Sequence, residues 1–490
     1  MSDLGYRSAT DLVRALKAKE VGSRELLDHL LARVEEHNPQ LNAVVTLDPE
    51  RARAAADAAD AATARDEDLG PLHGLPMTVK DAFETEGLLT TCGAPDLADH
   101  VPARDATAVA RLKAAGAIVF GKTNTPTYTA DLQTSNPVFG TTNNPWDLAR
   151  SPGGSSGVSA AALAAGLTPL ELGSDIGGSI RNPSHQCGTV GHKPSFGVVP
   201  DRGHIPGAPG SLSRGDVNVC GPMARTVEDL VLAFDVLAGP DDPDATGWRL
   251  DLPPARTDEL GDLRVGAWLE EPTLPVAPDV ADVLAAAVDA LAAAGVAVDR
   301  GARPAIDVVE TTHLYEQLVW TVMSAEVDDD TWELSKAVAD APPADDEPLL
   351  FRGGRATALR HKDWIALDEA RQHQRVAWAD LFAGVDVLLC PVFPVAAFPH
   401  QVDDDPFGIL NRTLAVGDRE VAHGELTHWC GVIGVAYLPS TVVPVGFTAD
   451  GRPVGVQVVA DFLQDRTALT VAARISEVLG GFRPPPGYEA

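Results

Sequence analysis

Several things are scarce in this chain of 490 residues, and each scarcity excludes something. Cysteine occurs five times, at Cys92, Cys187, Cys220, Cys390 and Cys430, with no C-x-x-C pair. An odd, scattered set argues against a disulfide framework or a zinc knuckle and for reduced thiols. Basic residues are outnumbered, 38 Lys and Arg against 70 Asp and Glu, for a formal charge of −32. Such a surface repels a phosphate backbone, so no nucleic-acid partner is expected. No run approaches the ~18 apolar residues of a membrane span. The opening Met1-Ser2-Asp3-Leu4-Gly5 shows no apolar signal core, so the expectation is a cytoplasmic protein with no membrane partner. The acidic trios Asp328-Asp329-Asp330 and Asp403-Asp404-Asp405 lack the Gly and Glu placement of an EF-hand loop and read as solvated loops. His185, Cys187 and His192 lie close together but read as structural. No metal and no cofactor is expected.

What is present is ordinary for a globular protein: 45% apolar and 22% charged residues. Length alone suggests two to four domains. Apolar positions Leu26, Leu27, Leu30, Leu31 and Val34 recur at helical spacing behind a capping Ser23, with Pro39 past the end. A strand over 42–47, helices over 51–65 and 105–115, a strand at Ile118-Val119-Phe120, a small-residue helix over 157–165 and a strand over 168–172 follow in turn. This alternation favours an α/β layered architecture. From about 240 to 430 the texture changes to Pro- and Asp-rich turns, a strand over 263–268 and a helix over 279–294. The stretch 305–430 reads as helices and long loops walling a pocket. Two paired strands, 440–445 and 454–459, and a helix over 465–479 close the chain.

Two motifs tempt and fail on context. Gly116-Ala117-Ile118-Val119-Phe120-Gly121-Lys122-Thr123 fits the Walker A pattern, but a P-loop needs a strand before the first glycine and a helix after the lysine. Here a helix comes first, and the middle residues are themselves the strand. Gly153-Gly154-Ser155-Ser156-Gly157 fits G-x-S-x-G, but a nucleophile elbow needs a buried strand just ahead, and the chain supplies the polar turn Asn143-Asn144-Pro145-Trp146-Asp147.

Another arrangement survives. Two glycine-flanked serines, Ser155 and Ser179, bracket one helix and one apolar stretch, and Lys80 stands upstream at an apolar-to-polar junction. Glycine beside serine lets backbone N–H groups approach a reacting atom with no Cβ in the way. A hydroxyl beside such donors suits acyl transfer, which needs a nucleophile and a site for the oxyanion. No His–Asp pair is evident, so lysine would have to serve as base, and only a neutral lysine can accept a proton. Its pKa would have to fall well below ~10.4 through burial or nearby donors. The bland alternative is a glycine loop with buried serines and an ordinary surface lysine.

Gly153-Gly154-Ser155-Ser156-Gly157 with Gly177-Gly178-Ser179-Ile180-Arg181 resembles the amidase signature family. So do Gly74-Leu75-Pro76 with Val79-Lys80-Asp81, Gly121-Lys122-Thr123-Asn124, Cys187-Gly188 with Lys193-Pro194, Gly221-Pro222-Met223-Ala224-Arg225, and Pro444-Val445-Gly446-Phe447 with Gly455-Val456-Gln457. The match spans nearly the whole chain and is weakest from 240 to 430. The resemblance implies one domain over 1–490, with a catalytic core at 74–226 and a variable substrate-pocket segment at 240–430. Its fold would be an α/β mixed β-sheet core with helices on both faces. It implies Ser179 as nucleophile, Ser155 on a cis peptide as the bridging hydroxyl, and Lys80 as base. Ile176, Gly177 and Gly178 would supply the oxyanion hole, with Asp175 and Arg181 bracing the loop and Ser156 in support, either on the lysine or packing the loop. Val158 departs from the pattern, standing where a second glycine is usual. The implied activity is hydrolysis of a small-molecule carboxylic amide through an acyl-enzyme. Ester, carbamate or cyclic-amide hydrolysis, the catalytic subunit of a tRNA-dependent amidotransferase, and an inactive binding protein are the alternatives. Trp320, Tyr315, Trp332 and Trp429 are candidates for aromatic pocket walls or for core. A homodimer is allowed by the sequence and marked by nothing in it.

Overall fold

The two-residue period of a strand decides how the chain is layered. In the strand Val387–Pro391, Val387 and Leu389 enter one apolar core, while Leu388 and Cys390 enter another on the opposite face. Val443 and Val445 likewise part from Val442, and Val454, Val456 and Val458 from Val459. A sheet apolar on both faces must be covered on both. The helices Val227–Leu237, Pro278–Ala293 and Asp465–Leu479 bury Leu230, Leu284, Leu291 and Leu469 against the first face. Trp378 and Phe382 of His361–Gly384, with Trp429, Val432 and Ile433 of His428–Gly434, pack in the core of the second. Each fully buried Val, Leu or Phe in these layers contributes about 1.5–3 kcal/mol.

The computed structural model describes residues 4–344, 347–402 and 411–489. Its main sheet has eight strands in the order Ala297–Asp299, Arg264–Ala267, Val387–Pro391, Pro453–Val459, Ser440–Phe447, Val190–Lys193, Val219–Ala224 and Leu170–Asp175. The first two pairings are parallel and the rest antiparallel, so the sheet is mixed and the fold is α/β, as expected. A smaller sheet pairs Ile118–Thr123 with Val44–Leu47 and Pro76–Lys80, setting Thr123 opposite Lys80. No helix among the described residues is long and apolar enough to cross a membrane.

The structure corrects several local expectations. The helix starting at Ser23 is capped by Gly22, not by Ser23. Asp60 accepts from the N–H groups of Ser23 and Arg24 at 2.6 and 3.1 Å, while Ser23 Oγ donates to Gly74 O at 2.5 Å. Pro39 lies inside the last turn, and the helix runs on to Leu41. The stretch 305–430 holds a fully buried sheet strand, Val387–Pro391, in addition to its helices. The trio Asp328-Asp329-Asp330 is exposed, as expected, but is not a loop: Asp328 caps the helix Asp329–Asp340, accepting from Thr331 N at 2.7 Å. The trio at 403–405 lies outside the described residues. Both rejected motifs fail for the reasons anticipated. The helix Thr107–Ala114 precedes Gly116, with Lys122 buried inside the strand Ile118–Thr123, and no strand leads into Gly153.

Three buried elements converge to set up the site. The strands Pro76–Lys80 and Leu170–Asp175 are buried at every residue. So is the helix Gly157–Ala164, whose small side chains allow close packing. Val158, the departure from the family pattern, points into the main core and is fully buried.

Candidate active site

Lys80 ends its strand completely buried, and its Nζ lies 2.7 Å from Ser155 Oγ and 3.0 Å from Ser174 Oγ. Burial disfavours an ammonium and lowers its pKa to about 7. The Cys92 and Cys220 thiols and the Asp175 and Glu171 carboxyls pull the other way. Close to neutrality, then, a large share of this amine is uncharged and able to accept a proton. Ser174, which no sequence pattern singles out, is the lysine's second partner. Ser156 does not reach the lysine: its Oγ donates to Ser174 O at 3.3 Å and accepts from Ser174 N at 3.4 Å, packing the glycine loop onto the strand.

Ser155 follows Gly154 through a cis peptide bond. Gly154 is needed for space, since a Cβ there would lie 2.5 Å from Asp131 O and 2.6 Å from Gln133 N. The Asn182 side-chain amide donates to Gly154 O, and Thr125 Oγ1 donates to Ser155 O, both at 3.3 Å. Ser179 sits on the adjoining loop, its carbonyl accepting from Ser156 N at 3.1 Å. At 7% exposure, against 1% for Ser155 and none for Lys80, Ser179 is the member of the three that an outside molecule meets first.

Asp175 organises the loop between. Its Oδ1 accepts from Gly178 N at 2.8 Å, and its Oδ2 from the N–H groups of Ile180 and Arg181 at 3.1 and 3.3 Å. Arg181 closes on the same carboxylate through Nε at 3.0 Å and Nη2 at 2.8 Å, with both side chains fully buried. Burial would raise the Asp175 pKa, but the Arg181 charge and these hydrogen bonds outweigh it and hold the group at about 2. Arg181 also donates to Cys430 O and to Gln457 Oε1, each at 2.9 Å, anchoring the loop to the second sheet face. Arg181→Met keeps the three backbone donors to Asp175 but leaves its buried carboxylate without a counter-charge. It is expected to cost about 3–5 kcal/mol of stability, read from the urea midpoint.

One of the three expected oxyanion donors is thus committed: the Gly178 N–H is taken by Asp175. Among the described residues, the N–H groups of Ile176, Gly177 and Ser179 have no partner within the chain. These donors flank the Ser179 hydroxyl in sequence and are free to meet negative charge developing there. The segment 240–430 borders them through Tyr315, whose hydroxyl donates to Thr427 Oγ1 at 3.3 Å and fills the space beside Gly177, where a Cβ would collide with it. The other aromatic candidates lie elsewhere. Trp429 is core, its ring 5.2 Å from that of Trp268, Trp320 packs on Gly353, and Trp332 is on the surface. His185 accepts from Gly455 N, and His192 sits between Thr441 and Asp465, so both are structural.

Comparison with known proteins supplies the family. The family model described as Amidase matches residues 25–469. An acylamidase of Rhodococcus erythropolis is 35% identical over 502 residues, covering 97% of this chain and 96% of its own length. A glutamyl-tRNA(Gln) amidotransferase subunit of Roseiflexus sp. (strain RS-1) is 35% identical over 489 residues, covering 96% of each. Among solved structures, a bacterial aryl acylamidase of the amidase signature family superposes with a TM-score of 0.81 at 25% identity, covering 99% of this chain and 98% of its own. A 6-aminohexanoate cyclic dimer hydrolase gives 0.78 at 27%, covering 99% of each. The chain belongs to the amidase signature family, whose enzymes act on amide C–N bonds.

Proposed function

We propose that the protein hydrolyses carboxylic amides of small molecules, with Ser179 as nucleophile, Ser155 as proton bridge and Lys80 as base. The observation that carries this reading is the 2.7 Å contact between the fully buried Lys80 amine, whose pKa burial lowers to about 7, and the Ser155 hydroxyl, beside the open donors of the Ser179 loop. Ser179 Oγ attacks the carbonyl carbon as its proton passes to Ser155 Oγ and the Ser155 proton passes to Lys80 Nζ. The carbonyl oxygen takes the charge against the N–H groups of Ile176, Gly177 and Ser179. Collapse breaks the C–N bond, and the relay returns a proton to the departing amine. Water then opens the acyl-enzyme by the same route in reverse. Esters, anilides, carbamates and cyclic amides can enter the cycle through the same carbonyl chemistry.

A second reading, the catalytic subunit of an amidotransferase, is supported by the relative of that name at equal identity. The purified chain alone, given aliphatic amides and anilides without ATP or tRNA, separates the two. Amine release at a steady rate is expected; release only on adding partner subunits would favour the second reading. The sign of the pH dependence follows from Lys80. Below about 7 the amine is protonated and cannot accept a proton, so kcat/KM is expected to rise through a single acid limb near pH 7 and level off above it. A limb near pH 10 would mean an ordinary exposed lysine.

A further inference from the structure

Beneath the proposed base lies an acid that the reaction just described does not use. Glu171 is buried in the strand Leu170–Asp175, four residues before Asp175. Its Oε1 accepts from Thr78 Oγ1, and its Oε2 accepts from Ser159 Oγ at 3.0 Å. Thr78 is two residues before Lys80 on the same strand, so both project from one face. Ser159 is four residues beyond Ser155, in the first turn of the helix Gly157–Ala164, and its Oγ lies 3.2 Å from Thr123 Oγ1. Thr123 is the strand partner of Lys80. One carboxyl group thus ties together the strand that carries Lys80, the strand paired with it, the helix that follows Ser155, and the strand that leads to Ser174 and Ser179.

A buried carboxyl is costly to keep without a purpose or a full set of partners. Hydroxyls that donate to both of its oxygens favour the ionised form, while burial opposes it and raises the Glu171 pKa to about 7. Other ionisable groups act on the same neighbourhood. Cys92, Cys220 and Asp175 act on Lys80; Asp81 and Glu171 act on Lys122; and Lys80 acts on His204.

We propose that Glu171 is a positioning residue of this reaction: held by Thr78 and Ser159, its carboxylate stabilises the ammonium that Lys80 becomes on taking up the proton released from Ser179. The inference rests on the Ser179–Ser155–Lys80 reading. In the step concerned, the Ser179 oxygen forms its bond to the acyl carbon, its proton goes to Ser155, and the Ser155 proton goes to Lys80. Lys80 gains one positive charge and the oxyanion gains one negative charge; Glu171 neither gives nor takes a proton in the step, and it acts in the molecules in which it is ionised, which predominate above about pH 7. An ammonium formed in a dry interior is otherwise opposed by the same desolvation that keeps the resting amine neutral.

The test is the rate at which a fluorophosphonate derivatises the full-length protein from pH 5 to 9, for the wild type, Glu171→Gln and Ser159→Ala, with thermal unfolding followed in parallel. Removing a negative charge near an amine lowers the amine's pKa. In Glu171→Gln the acid limb is therefore expected to move down by about one pH unit, with the plateau rate reduced up to about tenfold. Ser159→Ala keeps the carboxyl but withdraws one donor, which favours protonated Glu171. It is expected to move the limb in the same direction by less, and it serves if Glu171→Gln fails to fold. A limb that stays in place, with rate loss tracking only a lower melting temperature, would overturn the role assigned to Glu171. A wild type that takes no label at Ser179 would instead overturn the reading beneath it.

Discussion

Ser179→Ala is expected to lower turnover of any amide substrate at least about 10³-fold and to abolish the acyl-enzyme. The change removes only the hydroxyl. The Ser179 carbonyl still accepts from Ser156 N at 3.1 Å, and the Asp175–Arg181 pair that shapes the loop is untouched. Stability should therefore hold within about 0.5 kcal/mol, so the loss can be read as chemistry. Residual hydrolysis would come from water attacking a carbonyl polarised by the Ile176, Gly177 and Ser179 N–H groups. A burst of amine release, followed by steady turnover in the wild type and absent in the variant, is the kinetic check. Ser155→Ala should keep the attacking hydroxyl but break its route to the amine, giving a large loss with labelling at Ser179 slowed rather than abolished.

Lys80→Met is the second large effect. Methionine roughly fills the volume but offers no lone pair to receive a proton, and it leaves Ser155 Oγ and Ser174 Oγ without their 2.7 and 3.0 Å partner. Loss of a general base costs about 10²- to 10⁴-fold in turnover. Two orphaned buried hydroxyls cost about 1–3 kcal/mol each in stability, less where they find each other. Lys80→Arg separates charge from basicity. A guanidinium puts a permanent positive charge there and stays protonated at any working pH. If the amine acts by accepting a proton, Lys80→Arg should be as inactive as Lys80→Met, and neither should show the acid limb near pH 7. Substantial activity in Lys80→Arg would assign the position a purely electrostatic task.

What can be read from the chain alone divides along a physical line. Glycine-flanked serines and a lysine at a strand end are local patterns, and their likeness to a known family brings Lys80, Ser155 and Ser179 into one neighbourhood from sequence alone. The closing hairpin and the helix Asp465–Leu479 are equally plain, because strand alternation and helical spacing are local signals. The partners of Lys80 and Glu171 are not local. Ser174 meets Lys80 across 94 positions, and Thr78 meets Glu171 across 93. Nothing in one sequence marks a serine or threonine as the one that turns toward a distant carboxyl or amine. The strand Val387–Pro391 escapes for another reason. Buried on both faces, it lacks the polar alternation of a half-exposed strand, and a short apolar run beside a long helix reads as more helix or loop. The helix cap at Gly22 is misassigned to Ser23 because the group that satisfies the first N–H donors, Asp60, lies on another helix. Gly178 groups with the open donors because its neighbours are open; only the folded loop shows Asp175 turned back onto it.

The geometry sets a buried lysine with a lowered pKa against the hydroxyls of Ser155 and Ser174, beside a loop shaped by the interior Asp175–Arg181 pair. From the segment between 240 and 430, the buried Tyr315 and Thr427 stand beside Gly177. Substitutions at those two positions are where a change of substrate preference without loss of the relay should first appear.

The measurement that bears most directly on this account is peptide mapping of the covalent adduct left by a fluorophosphonate on the wild-type protein at pH 8. The account places the phosphonyl group on Ser179 alone, with labelling lost in Ser179→Ala and progressively suppressed below pH 7. An adduct on Ser155 that persists in Ser179→Ala would contradict it.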